Sequence, residues 1–269
     1  MSLSPELVDI IIDNLHNDKH TLSACCLTSK QWVASCRFHL FSKMTVTPHR
    51  LPPLWYFLDS HSPNIALLVR NLVVDDFSEW ALGGGLEEGS RLSYLTDKLR
   101  RIFLLLRSVR HLHIYNCYHV IDPNVFSILT NVRELVMEDI SLTSLQHMLS
   151  FVYAFPILET LSVVGTSTWR DRSLPPSKYK TRPGQPSFSL RKLDLHFDPN
   201  LSSISKWLLG LDPVPQIFSL GLYVVDYGIH SSIALLRSIG PSVLTLELKF
   251  RNSFVLDSMY PICTIFWLF

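Results

Sequence analysis

The sequence predicts an α/β chain in two parts: a short three-helix module over residues 1–41, then residues 42–269 arranged as strands and helices around one parallel sheet. Three observations lead there. A six-residue phrase, apolar-x-x-Leu-x-apolar, recurs seven times along the chain. Helix-like patterns separate most of its copies. The first stretch of about forty residues carries apolar side chains three and four apart, the period of one helix face.

The copies read "VRNLVV" (69–74), "VRHLHI" (109–114), "VRELVM" (132–137), "LETLSV" (158–163), "LRKLDL" (190–195), "IFSLGL" (217–222) and "VLTLEL" (243–248). Their central leucines, Leu72, Leu112, Leu135, Leu161, Leu193, Leu220 and Leu246, are separated by 40, 23, 26, 32, 27 and 26 residues. In an extended strand the leucine and the apolar residue two later point to one face, and the residues beside them to the other. Helical patterns lie between, in "PNVFSILTN" (123–131), "LTSLQHMLSFVYAF" (142–155), "NLSSISKWLLGL" (200–211) and "IHSSIALLRSIG" (229–240).

Strand and helix alternating at this period resemble a leucine-rich-repeat solenoid, which implies a concave parallel sheet backed by convex helices. A doubly wound sheet is the competing architecture, although its strands are normally longer apolar runs without so constant a phrase. The repeat family places Asn or Cys eight residues after the first apolar position. Only Cys117 meets that; Phe77, Ile140, Thr166, Asp198, Val225 and Arg251 stand at the other six places, so an irregular solenoid is expected. Insertions are expected at 75–91 and at 166–186, the second a Pro-, Ser- and base-rich loop.

At the N-terminus, Ser4-Pro5 is a helix start: a hydroxyl N-cap, then proline at the first helical position. Leu7, Ile10, Ile11 and Leu15 follow as an apolar stripe, and "HNDKH" (16–20) is a polar break. A second helix runs through Leu22, Ala24, Cys25 and Cys26. Thr28 and Gln31 have the spacing of a capping box, predicting a third helix to about Phe38 with Trp32, Val33 and Cys36 on its apolar side. Three short helices with surplus apolar surface form either a partner-binding module or a cap over the end of a larger core.

The residues Leu3, Glu6, Leu7, Ile10, Ile11, Leu15, Leu22, Leu27, Trp32, Leu40 and Phe41 make this stretch resemble the F-box of fungal F-box proteins. One departure stands out: Ser4 occupies the place of the family's proline, with Pro5 one residue later. The resemblance implies docking onto the Skp-type adaptor of a cullin-RING ubiquitin ligase through Leu3, Pro5, Leu7, Ile11, Leu15, Leu22 and Trp32. The repeats would then hold a target protein, and the chain would contribute proximity rather than bond-making. The alternative is a non-catalytic repeat scaffold whose first helices only close its end.

The concave face expected to meet the target carries His111, His113, Glu134, Thr160, Lys192, Asp194, Tyr223 and Glu247. His111 and His113 with Cys117 and His119 are a zinc-compatible set, but the histidines sit at outward strand positions and are read as surface residues. "GGGLEEG" (83–89) lacks the spacing of a phosphate loop. Cys25 and Cys26 lack a base and its orienting partner. Arg170, Arg172, Lys178, Lys180 and Arg182, interleaved with Trp169 and Tyr179, are read as a solvated loop. No enzyme activity, catalytic residue, metal or cofactor is therefore expected.

Apolar residues make up 47% and charged residues 17%, which excludes general disorder, and a net charge of +1 gives no support for a nucleic-acid partner. Five cysteines without a CxxC pair read as reduced thiols of a cytoplasmic or nuclear protein. Glu6 and Asp9 break the first apolar run, and the longest such runs are too short for a membrane span. The ending "YPICTIFWLF" (260–269) predicts a truncated or poorly capped last repeat, with Phe266, Trp267 and Phe269 exposed.

Overall fold

A computed structural model describes residues 3–60, 63–75, 88–117, 122–142, 144–165, 189–196, 201–211, 213–224, 229–250 and 265–268. The helical start is α1 (Pro5–Asn14), α2 (Lys19–Thr28) and α3 (Val33–Phe41). Then come β1 (Lys43–Val46), α4 (Leu51–Ser60), α5 (Pro63–Ala66), β2 (Asn71–Asp75) and α6 (Glu88–Leu105). The chain continues through β3 (His111–Tyr115), α7 (Pro123–Phe126), β4 (Glu134–Glu138), α8 (Leu145–Tyr153), β5 (Thr160–Val164) and β6 (Lys192–His196). It closes with α9 (Leu201–Leu209), β7 (Ser219–Val224), α10 (Ile229–Ile239), β8 (Thr245–Phe250) and β9 (Ile265–Leu268).

All nine strands form one sheet in chain order, β1 to β8 parallel and β9 antiparallel to β8. Every phrase is a strand, and the central leucines Leu72, Leu112, Leu135, Leu161, Leu193, Leu220 and Leu246 pair side by side. A second apolar row runs two residues on, from Val74 through Ile114, Met137, Val163 and Leu195 to Leu222. Both rows are buried, whereas the alternate residues of β2 to β6 stay partly open to solvent. One face is thus core and the other is free, the pattern of a sheet covered by helices on a single side.

The covering helices are joined by aromatic contacts. Phe103 of α6 lies 5.3 Å from Phe126 of α7, which lies 5.6 Å from Phe151 of α8. Farther along, the Trp207 indole of α9 donates to the Tyr153 hydroxyl at 3.0 Å. These large rings fill the space between successive helices, where their apolar area contributes most.

Three consecutive strands, β3, β4 and β5, end in the left-handed conformation, at Asn116 (φ 50°), Asp139 (φ 48°) and Gly165 (φ 63°). The N–H of each donates to the last residue of the next strand: Glu138 at 3.2 Å, Val164 at 3.0 Å and His196 at 3.3 Å. Asn, Asp and Gly are the residues that tolerate this turn. It drops the chain out of the sheet while keeping one more ladder bond.

The helical start departs from its predicted detail. Ser4 caps α1 as expected, accepting from the Leu7 N–H at 3.5 Å, with Pro5 inside the first turn. The Thr28–Gln31 box does not form: Thr28 is the last residue of α2, and its hydroxyl donates to the Cys25 carbonyl at 2.9 Å. Gln31 instead donates to the Leu3 carbonyl at 3.1 Å, and α3 begins after Trp32 with no side-chain cap. The cap of α2 is Asp18, whose carboxyl is held below its usual range by the hydroxyl and N–H of Thr21.

Elsewhere β1, α4, α5 and α6 occupy stretches without a repeat phrase. The 123–131 pattern yields only the single turn α7, and the 142–155 pattern yields α8. Gly83 to Glu87 and the 166–186 insertion lie outside the described residues. So do His119 and the side chains of β9. The backbone of β9 lies against β8, pairing Thr245 with Leu268 and Leu248 with Ile265.

A Cβ added at Gly165 would also run into the Asp139 carboxylate. Gly165→Ala should therefore destabilise the fold by about 1–2 kcal/mol. Gly240→Ala, where a Cβ meets open space, should be nearly neutral. Urea-unfolding midpoints of the two variants check this; equal midpoints would contradict the strain argument.

Candidate docking faces

The three N-terminal helices close around Val8, Ile12, Leu22, Cys25 and Cys36, with Leu15, Cys26, Trp32 and Leu40 packed against them. This small core is separate from the long one under the sheet. Polar contacts tie α1 to α3: Ser35 donates to Asp9 at 2.5 Å, and His39 meets Asp13 at 2.8 Å. Burial, together with the neighbouring thiols of Cys26 and Cys25, pushes the Cys36 thiol up to about 12. That thiol stays protonated at neutral pH, the opposite of what a nucleophile needs.

With Val8 and Ile12 inside, α1 presents a second apolar face. Leu3, Leu7, Ile10 and Ile11 are 44%, 51%, 57% and 39% exposed, and they recur at the spacing of one helix side. Leu27 of α2 is also exposed. Of the residues expected to meet an adaptor, Leu3, Pro5, Leu7 and Ile11 are therefore on the surface. Leu15 and Trp32 are half-buried against the module's own core. Leu22 needs correcting: at 0% exposure it belongs to the module's own core and offers no surface to a partner.

The second face is the open side of the sheet. Strand pairing lines up three rows across it. The first row runs Lys43, Asn71, His111, Glu134, Thr160, Lys192, Ser219, Thr245. Next comes Thr45, Val73, His113, Val136, Ser162, Asp194, Gly221, Glu247. The third contains Asp75, Tyr115, Glu138, Val164 and His196, then Tyr223 beside Lys249. All eight residues expected on this face belong to these rows.

Its polar side chains meet in pairs: His111 with Glu134 at 2.8 Å, His113 with Glu138 at 3.0 Å, Lys192 with Asp194 at 3.1 Å, and Lys249 with Glu247 at 2.9 Å. The more open of these pairs, His111 with Glu134, contributes about 0–1 kcal/mol, whereas Asp194 and Lys249 are held in partly buried ones. Gly221 leaves room for the Asp194 carboxylate, into which a Cβ at that position would project.

Tyr223 corrects the expectation of a solvent-facing contact residue. It is only 7% exposed, with its ring 6.5 Å from that of His196. Lys249 pairs beside it on β8, and His196 ends the strand on its other flank. Burial, then the nearby Lys249 charge, pulls the pKa of His196 below its ordinary value, while Asp194 and Glu247 pull the other way.

Cys117 lies buried, its thiol donating to the Tyr115 carbonyl at 3.2 Å, apart from the outward His111 and His113. Among the described residues, no three His, Cys, Asp or Glu side chains group closely enough to hold a metal ion. Nor, among them, is any helix long and apolar enough to cross a membrane. A scan against protein-family models finds no match for the chain, and a search of curated proteins finds no relative.

The His196 shift fixes a sign. Well above pH 6.5 the imidazole is neutral in both states and makes no difference. As pH falls from there to the lowered folded-state pKa, the unfolded chain takes the proton first, so stability declines. His196→Gln should remove this component. Between pH 7.5 and 5.5 its unfolding midpoint should fall less than that of the unaltered chain; equal falls would rule the burial effect out.

Proposed function

We propose that the chain is a non-catalytic substrate-recognition adaptor of a cullin-RING ubiquitin ligase, acting in the cytoplasm or nucleus. Its first helices are an F-box-like module, and residues 42–269 are an irregular leucine-rich-repeat solenoid. Docking onto a Skp-type adaptor is assigned to the exposed α1 face, and target binding to the open rows of the sheet. The observation carrying this reading is the double-sided character of α1: Val8 and Ile12 complete an internal core, yet Leu3, Leu7, Ile10 and Ile11 remain outside. A helix apolar on two sides has a second surface to cover, at a gain of about 1 kcal/mol for each half-exposed side chain that a partner buries. The F-box resemblance names the partner.

A capping role for the module is the competing reading, and one contact favours it. The Ser42 carbonyl, directly after α3, accepts the N–H groups of Arg70 and Asn71 at 2.8 Å each, so the module is continuous with the first strand pair. Under that reading, removing residues 1–41 should unfold the repeats. Under the adaptor reading, it should leave a folded protein that no longer captures its partner.

The direct test is capture of a purified Skp-type adaptor by the intact chain. Leu7→Asp combined with Ile11→Asp should weaken capture at least tenfold, equivalent to about 1.4 kcal/mol. Circular dichroism should be unchanged, because both side chains already face water. No capture by the intact chain, or capture indifferent to the two aspartates, would sink the proposal.

A further inference from the structure

The repeat phrase carries a second regularity beside its leucine. Arginine stands second in four of its seven copies, at Arg70, Arg110, Arg133 and Arg191, with Glu159 in the copy between the last two. Each of these five residues immediately precedes a strand, from β2 to β6. The Arg70 carbonyl accepts from Arg110 and His111, that of Arg110 from Arg133 and Glu134, and that of Arg133 from Glu159 and Thr160, all at 2.8–3.0 Å. Glu159 continues the pattern onto Arg191 and Lys192 at 2.7 and 3.0 Å. The five backbones are therefore stacked along one rim of the sheet at strand spacing. Four steps of about 4.8 Å make a row of about 19 Å, the length of roughly six extended residues.

Arg110, Arg133, Arg191 and Lys192 are exposed, while Arg70 is half-buried with its guanidinium donating to the Ser108 carbonyl at 3.1 Å. Among the described residues neither Arg110 nor Arg191 is in an ion pair. The acid within the row shows what the row accepts: Arg133 holds the Glu159 carboxylate at 2.7 Å. At the opposite ends of β2 and β4 stand Asp75, Glu138 and Asp139, away from this rim. With a net charge of only +1, the molecule lacks the broad positive field that a nucleic acid responds to. A narrow cationic rim matches a narrow anionic ligand.

We propose that the strand-start rim of β2 to β6 binds an extended Asp/Glu-rich segment of a partner protein, its carboxylates taken by the guanidinium forks of Arg110, Arg133 and Arg191. Arginine suits this geometry because its planar fork donates two hydrogen bonds to one carboxylate. The inference rests on reading the repeats as a protein-recognition surface, and it specifies the chemistry recognised there.

Fluorescence anisotropy with a labelled Asp/Glu-rich peptide and the full chain tests it. Binding should weaken as salt rises. Replacing Arg110, Arg133 and Arg191 together by Gln should raise Kd about tenfold or more. Glu159→Gln should lower Kd by freeing Arg133, a gain that misfolding cannot imitate. Failure of the acidic peptide to bind, or a Kd moved by neither variant, overturns the proposal. Tighter binding of a single-stranded oligonucleotide of equal charge also overturns it, in favour of a nucleic-acid surface. Skp-adaptor capture by the same preparations separates the two ideas: lost capture with peptide binding retained removes only the ligase role.

Discussion

Seven backbone carbonyls, at Ser42, Arg70, Arg110, Arg133, Glu159, Arg191 and Phe218, hold the sheet in register. Each stands just before a strand and accepts two N–H groups, from the first residue of the next strand and the residue before it. The carbonyl's two lone pairs are thereby used, and the neighbouring strand can start at one place only. This constraint aligns the leucines of seven strands in one buried row. A one-residue slip would turn that row to solvent and bring His, Glu and Lys side chains into the core. The open face and the cationic rim are ordered for the same reason: both inherit their spacing from the carbonyls.

That dependence explains which parts of the fold were legible in the sequence. Leu135 or Leu193 marks its strand because one buried position per strand is fixed by register and leucine fills it. The outward neighbours followed from the two-residue period, and they lie where that period places them. By contrast, "KMTV" (43–46) has no phrase leucine; it becomes β1 because Ser42 offers the first carbonyl of the series and β2 pairs beside it. The "IFWL" backbone (265–268) reverses direction against β8, which no spacing announced. Asn116, Asp139 and Gly165 share a left-handed turn that three different residue types can make, so no single letter repeats. Their common position, one residue beyond the strand, was the available signal.

The helical start shows a different limit. Periodicity identified α1 and its cap but could not choose between two apolar sides. Leu7 and Ile11 match the helix period as well as Val8 and Ile12 do, and only packing against Leu22 and Cys36 places the second pair inside. Local rules failed similarly at Thr28, whose spacing to Gln31 fits a capping box. The hydrophobic contacts of Cys25 and Cys26 extend α2 through that position, and the box is lost. In both cases tertiary burial decided between options of equal local quality.

Under the proposed adaptor role, the useful quantity is the fixed geometry between the two surfaces, because proximity is lost when the joint is loose. Here the joint is short. Helix α3 ends at Phe41, Ser42 follows, and β1 begins at Lys43. With Ser42 bonded to both Arg70 and Asn71, no free linker lies between the apolar face of α1 and the first strands. The cationic rim begins at Arg70, on the very backbone that Ser42 engages. An acidic segment bound along Arg110 to Arg191 would therefore lie at a set distance from whatever covers Leu7 and Ile11. The same carbonyl series that orders the core also fixes how far apart the two surfaces stand.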